Sequence, residues 1–147
     1  MVAAMSALPF SLAPQLEADT VPVGDLPLSR VLLMNDANYP WLILVPRLPG
    51  ITEIIDLEAN VQTQLLSEIA RVSAALKSLT GCDKLNVAAL GNVVPQLHVH
   101  VIARFKTDAA WPKPVWGVVP AKPYEHAARE RLTGDLRRAL QIRGTRD

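Results

Sequence analysis

One cysteine, Cys82, stands alone among 147 residues, so no disulfide can form within this sequence and a reducing compartment is expected. Charge is also scarce. A fifth of the residues are charged, and the formal balance at neutral pH is +1. A nucleic-acid surface shows as a clustered basic excess. The one local excess here, Arg129, Arg131, Arg137, Arg138, Arg143 and Arg146, is diluted by Glu130, Asp135 and Asp147 and reads as a solvated helix face. No apolar run approaches the length of a bilayer crossing. The apolar stretch Met1 to Phe10 lacks a basic start and is broken by Pro9 and then Pro14, which makes a poor export signal. The expectation is a cytoplasmic protein that binds neither nucleic acid nor membrane. No repeat, low-complexity tract or linker divides the chain, so 1–147 is read as one domain.

Half of the residues are hydrophobic, enough for a substantial core. Prolines 22, 27, 40, 46 and 49 punctuate the front half. Between them Ser29 to Met34 and Trp41 to Val45 are rich in β-formers and read as strands. From Leu57 to Leu79 the pattern changes. Val61, Leu65, Ile69, Val72, Leu76 and Leu79 recur at steps of three and four and form one helical stripe, with Asp56 suited to cap its start and Gly81 to end it. A second helix is expected over 123–142, opening at Pro123 and turning Tyr124, Ala128, Leu132, Leu136 and Leu140 inward, although Gly134 weakens it. Two further strands, Leu85 to Leu90 and Leu97 to Phe105, are joined by six residues, short enough for a hairpin. With no crossover helix between neighbours, the sheet should be antiparallel, of about five strands, with the long helix on one face: an α+β fold.

The last strand alternates strictly. Leu97, Val99, Val101, Ala103 and Phe105 share one face, while Gln96, His98, His100, Ile102 and Arg104 share the other. Two imidazoles two residues apart on a strand have Cα atoms roughly 7 Å apart. Charging both would cost about 2 kcal/mol at an effective dielectric near 20, so at most one is cationic at neutral pH without an anion present. A phosphate would relieve that restriction: one neutral ring could attack phosphorus while the other donates hydrogen bonds. Taken alone, such a pair is also what two satisfied surface histidines or part of a metal site would look like. A metal normally requires a third ligand, and neither His126, on an expected helix, nor Cys82, at a helix end, is directed to the strand by any sequence feature.

The segment Gly91-Asn-Val-Val-Pro-Gln-Leu-His-Val-His-Val-Ile-Ala-Arg104 resembles the signature of histidine-triad proteins, in which three histidines alternate with apolar residues, and Leu90 to Pro95 resembles the lead-in of bacterial members. Upstream, Leu33-Met34-Asn35 and Pro40 to Pro46 resemble the family's nucleoside-binding strand, turn and next strand. The similarity covers roughly residues 30 to 117. It implies a fold of that family, cleavage of a nucleoside-monophosphate derivative (a dinucleoside polyphosphate or a phosphoramidate) and a homodimer whose sheets join. It implies no required cofactor, with Mg²⁺ accompanying a polyphosphate substrate, and no metal site. By position, His98 is the nucleophile that becomes nucleotidylated, and His100 contacts the phosphate near the leaving group. The resemblance further implies that Asn35 holds the ribose hydroxyls, that Leu33 lines the base pocket, that Asn92 lies beside the phosphate and that Asn86 supports the site.

Gln96 stands where the family has its first histidine, and Trp41-Leu42 replaces a Gly-His pair of some relatives. Glutamine hydrogen-bonds but accepts no proton at physiological pH, which leaves two readings open: a working enzyme, or a nucleotide-binding module without turnover. A metal-binding domain built on His98 and His100 is a third. After the strand, Trp111 and Trp116 between prolines either wall a nucleotide site or cover the sheet edge, and Lys113 could meet a distal phosphate.

Overall fold

The computed structural model describes residues 9–144, so most of the apolar opening stretch, Met1 to Leu8, and Arg146 lie outside the described residues. Five strands form one antiparallel sheet in the order β1-β2-β3-β5-β4, built from β1 (Thr20–Asp25), β2 (Ser29–Met34), β3 (Trp41–Pro46), β4 (Lys84–Ala88) and β5 (Val99–Arg104). Before β1 lies a short helix α1 (Pro14–Asp19), between β3 and β4 the long helix α2 (Ala59–Thr80), and after β5 the helix α3 (His126–Leu140). This is the α+β arrangement that the alternation and the lack of crossovers predict.

Helix α2 lays Val72 and Leu76 against Val31, Leu33, Leu42, Leu44, Val101 and Ala103, and α3 adds Leu136 and Leu140 to the same core. The expected stripe thus holds through Leu76, whereas Leu79, in the last turn, stands 41% exposed. Gly81 ends the helix as expected. Its φ of 65° is left-handed, and its N–H closes the turn on Lys77 O. Asp56 does not cap α2. Its carboxylate takes the Thr52 and Glu53 amides around a short 3₁₀ turn, Ile54–Asp56, so α2 starts only at Ala59.

Helix α3 begins three residues later than Pro123 suggests. Lys122 N donates to Asp36 Oδ1 and Tyr124 N to Asn35 Oδ1, so the chain here is tied to the β2–β3 turn rather than wound into a helix. The arginines of α3 are also more than a solvated face. Arg137 donates to Val23 O (2.7 Å) and Pro22 O (3.1 Å), clamping β1 beside its bulge. The chain after α3 returns so close to that bulge that a Cβ on Gly24 would lie 2.3 Å from Arg143 O, which only glycine avoids.

The sheet's second face is covered too. Phe10, Leu12 and Leu16 from the N-terminal segment, with Ala110 and Val115 from the segment after β5, pack on Leu32, Trp41, Ile43, Val45 and Ile102. Every residue of β5 is therefore buried, including those on the histidine face.

Candidate functional site

His98 and His100 keep the side-by-side placement that alternation predicts, but they are almost enclosed, at 7% and 5% exposure. Their ring centroids are 4.9 Å apart, and the planes meet at 72°. Across the ladder His100 faces Ile43 on β3 and Ala88 on β4, which places Trp41, two residues before Ile43, on the same face.

Each ring is oriented by one bond. His98 Nδ1 lies 2.7 Å from Gln96 O. A carbonyl can only accept, so Nδ1 carries a hydrogen, and in the neutral ring Nε2 keeps its lone pair. At His100 the polarity is reversed. Trp41 Nε1, which can only donate, lies 3.0 Å from His100 Nδ1, so that nitrogen accepts and the neutral ring carries its hydrogen on Nε2. Burial, with the neighbouring His98 adding to it, pushes the His100 pKa down from 6.5 to about 4, in keeping with a ring held neutral. Trp116 meets His100 edge-on at 5.1 Å and Trp41 at 5.7 Å, closing an aromatic wall around it. With both rings neutral, the pair sets an unprotonated ring nitrogen beside a ring that is a donor.

Further along β5, Arg104 is 2% exposed and bonded through Nε and Nη2 to Asp108. Its Nη1 donates to Asn86 Oδ1, and its guanidinium lies over Tyr39 and Trp111. Burial would raise the Asp108 pKa. The Arg104 hydrogen bonds and the Phe105, Trp111 and Ala110 amides outweigh it and hold the carboxyl at about 2. This buried pair fixes the start of the segment that delivers Trp116.

The remaining sequence candidates divide. Gln96 sits next to the pair, but its side chain turns away: Oε1 accepts from Ala13 N and Nε2 donates to Ser11 O, both at 2.8 Å. Its contribution to the histidines is its carbonyl. Leu33 borders none of the cavities found among the described residues near the histidines. It is fully buried in the core beneath α2, because the alternation of β2 gives the opposite face to Leu32 and Met34. Asn35 does border a cavity, of about 370 Å³, together with Met34, Trp41, Val115 and Trp116. A smaller cavity of about 240 Å³ is bordered by His98, Glu53, Ile54, Ile55 and Leu90. Asn92, exposed in the β4–β5 connection, and Lys113, exposed in the segment after β5, border neither cavity. Asn86 reaches the site through Arg104. Of the tryptophans, Trp116 joins the site and Trp111 the layer around Arg104.

His126 is exposed on α3 beside Arg129, and no group of three or more His, Cys, Asp or Glu suited to a metal occurs among the described residues. No helix among them is long and apolar enough to cross a membrane. Sequence reasoning missed Trp41 as a partner of His100. Alternation places it on some face of β3, but which face, and opposite what, is a matter of strand register.

A family model described as the HIT domain matches residues 15–107. A histidine triad protein from Bradyrhizobium japonicum has a similar structure, with a TM-score of 0.89 and 56% identity, the match covering 90% of this chain and 99% of that one. A histidine triad protein from Marinobacter aquaeolei gives 0.89 and 47%, covering 91% and 98%. One from Sinorhizobium meliloti gives 0.87 and 43%, covering 92% and 98%. Comparison with curated protein sequences gives no match.

Proposed function

The chain belongs to the histidine-triad family, and on that premise we propose that it is a nucleotidyl hydrolase or transferase working through a nucleotidyl-histidine at His98. The observation that carries the proposal is the opposite polarity of the two rings. His98 presents an unprotonated Nε2 oriented through Gln96 O, and His100 offers an Nε2–H held in place through Trp41. In the first step the His98 Nε2 lone pair forms a bond to the α-phosphorus, and the bond to the leaving group breaks with its electron pair. His100 donates to a phosphoryl oxygen as charge builds there. Water then attacks the same phosphorus, the P–N bond breaks with its electron pair returning to His98 Nε2, and the proton of the water passes to solvent, so that His98 is released as a neutral imidazole. The nucleoside fits the cavity bordered by Trp41, Trp116 and Met34, where a base finds aromatic faces and Asn35 keeps its amide hydrogens for ribose hydroxyls. The covalent step requires no metal, and Mg²⁺ would come only with a polyphosphate leaving group.

The two-point engagement of Gln96 with Ser11 and Ala13 favours one other reading, a nucleotide-binding module without turnover, since that side chain offers the histidines nothing. Intact-protein mass measurement after millisecond mixing with an activated adenosine 5′-monophosphate separates the two. A mass increase of one nucleotide that is lost in His98→Ala, with nucleotide affinity largely retained, identifies the enzyme. Binding without any adduct identifies the module.

We propose further that two copies join along β4, an edge strand whose outer backbone is unpaired in the sheet and whose Val87 is 50% exposed. Light scattering should give a dimer mass, and Val87→Lys should lower it to that of the monomer.

A further inference from the structure

We infer that Trp41 confines His100 to donating a hydrogen bond, so that the protein acts on nucleotides whose leaving group departs as an oxyanion without taking a proton from the enzyme. The inference rests on the function proposed above and narrows its substrate class. Trp41 Nε1–H has no acceptor capacity, lies buried, and points at His100 Nδ1 from 3.0 Å. A cationic His100, or one with its hydrogen on Nδ1, would set two donors face to face at that distance and leave a buried donor without its partner, which is costly. The neutral Nε2–H form is the one that satisfies both groups.

That form has a chemical consequence. Giving up the Nε2 hydrogen would leave an imidazolate, since Nδ1 has no proton to fall back on and the indole cannot supply one. His98 cannot help either, because its Nδ1 hydrogen is directed to the Gln96 carbonyl, away from the phosphorus. When His98 Nε2 bonds to the phosphorus, the electron pair of the breaking bond therefore stays on the leaving atom, and no proton is delivered to it. A carboxylate, a phosphate or an acidic phenolate leaves readily on those terms, and an alkylamine does not. Among the described residues, the elements packed on His100 bring no second acid to change this. The elements around His100 present Trp41 and Ile43 from β3, Ala88 from β4 and Trp116 from the loop, and on β5 its titratable neighbours are His98 and the Asp108-paired Arg104. Its low pKa agrees with this account.

The test uses the full chain and Trp41→Phe, which keeps a ring but removes the donor, with aryl esters of adenosine 5′-monophosphate whose phenols differ in acidity. For the wild type, single-turnover nucleotidylation should slow by roughly tenfold for each unit rise in phenol pKa, as expected without a general acid, and the slope should not change between about pH 5.5 and 8. In Trp41→Phe the dependence should flatten and become pH-sensitive. Nitrogen-15 spectra of the wild type should show His100 protonated at Nε2 and bare at Nδ1 over the same range. A shallow wild-type slope, or a His100 carrying its hydrogen on Nδ1, overturns the inference. Should Trp41→Phe fail to fold, the wild-type slope and spectrum decide alone. The two readings fail differently. Absence of transfer from every ester removes the proposed reaction and the leaving-group limit with it, whereas normal transfer with a protonated Nδ1 removes only the lock.

Discussion

At Gln96 the side chain and the main chain do different things. The amide makes two hydrogen bonds with the backbone of Ser11 and Ala13, while the carbonyl orients His98. A histidine placed there keeps the carbonyl but cannot act at once as the donor to Ser11 O and the acceptor from Ala13 N in the same planar pairing. Gln96→His should therefore alter single-turnover rates by less than about tenfold, or 1.4 kcal/mol of barrier. Losing two partly exposed hydrogen bonds should lower the unfolding free energy by about 1–3 kcal/mol, read from urea titrations. A hundredfold gain in rate would instead mark the natural protein as a disabled enzyme. The site residues are unequally legible in the sequence. The side-by-side placement of His98 and His100 follows from alternation and their role only from the resemblance, whereas resemblance puts Leu33 on the pocket and the pleat of β2 turns it beneath α2.

The elements hold one another through a few polar side chains whose partners are remote in sequence. Glu68 on α2 is 4% exposed and accepts from Leu28 N (2.8 Å) and Ser29 N (2.9 Å), fixing the turn between β1 and β2 against the helix. Glu68→Ala leaves both amides without that partner and should cost about 3 kcal/mol or more of stability, whereas Glu68→Gln, which can satisfy one of them, should cost less. Chemical denaturation of the three proteins checks the order, and equal losses would take the hydrogen bonds out of the explanation. The stripe of α2 and the alternation of β5 identify these elements because each is a local period. The covering of the histidine face is not legible in that way. It is made by residues 10–16 and 110–116, which show no period, so nothing local reveals that a strand with a polar face is buried on both sides. The same limit hides the late start of α3, where side chains of the β2–β3 turn claim the backbone.

For the molecule as a whole, the two groups with large downward shifts, His100 and Asp108, shape the course of acid unfolding. His100 takes up its proton near pH 4 when folded and near 6.5 when unfolded, so between these values the unfolded chain binds more protons. The stability tied to this residue is fully present above about pH 6.5 and is lost as the pH falls to about 4, by on the order of 3 kcal/mol. Asp108, held at about 2 against an ordinary 3.8, adds a separate loss in that lower window. Urea unfolding of the wild type should show both descents, and His100→Gln should abolish the upper one while keeping the lower. An unchanged upper descent in His100→Gln would assign it to another group.

The pairing of Gln96 with Ser11 and Ala13 also bears on how such a chain can change over evolutionary time. Because this glutamine anchors the covering segment, an exchange to histidine at position 96 would not be a neutral step. It would pass through a chain with a loosened covering over the histidine face. Position 96 is in this sense entrenched. A lineage could place histidine there only after residues 11–13 had found another way to hold their place.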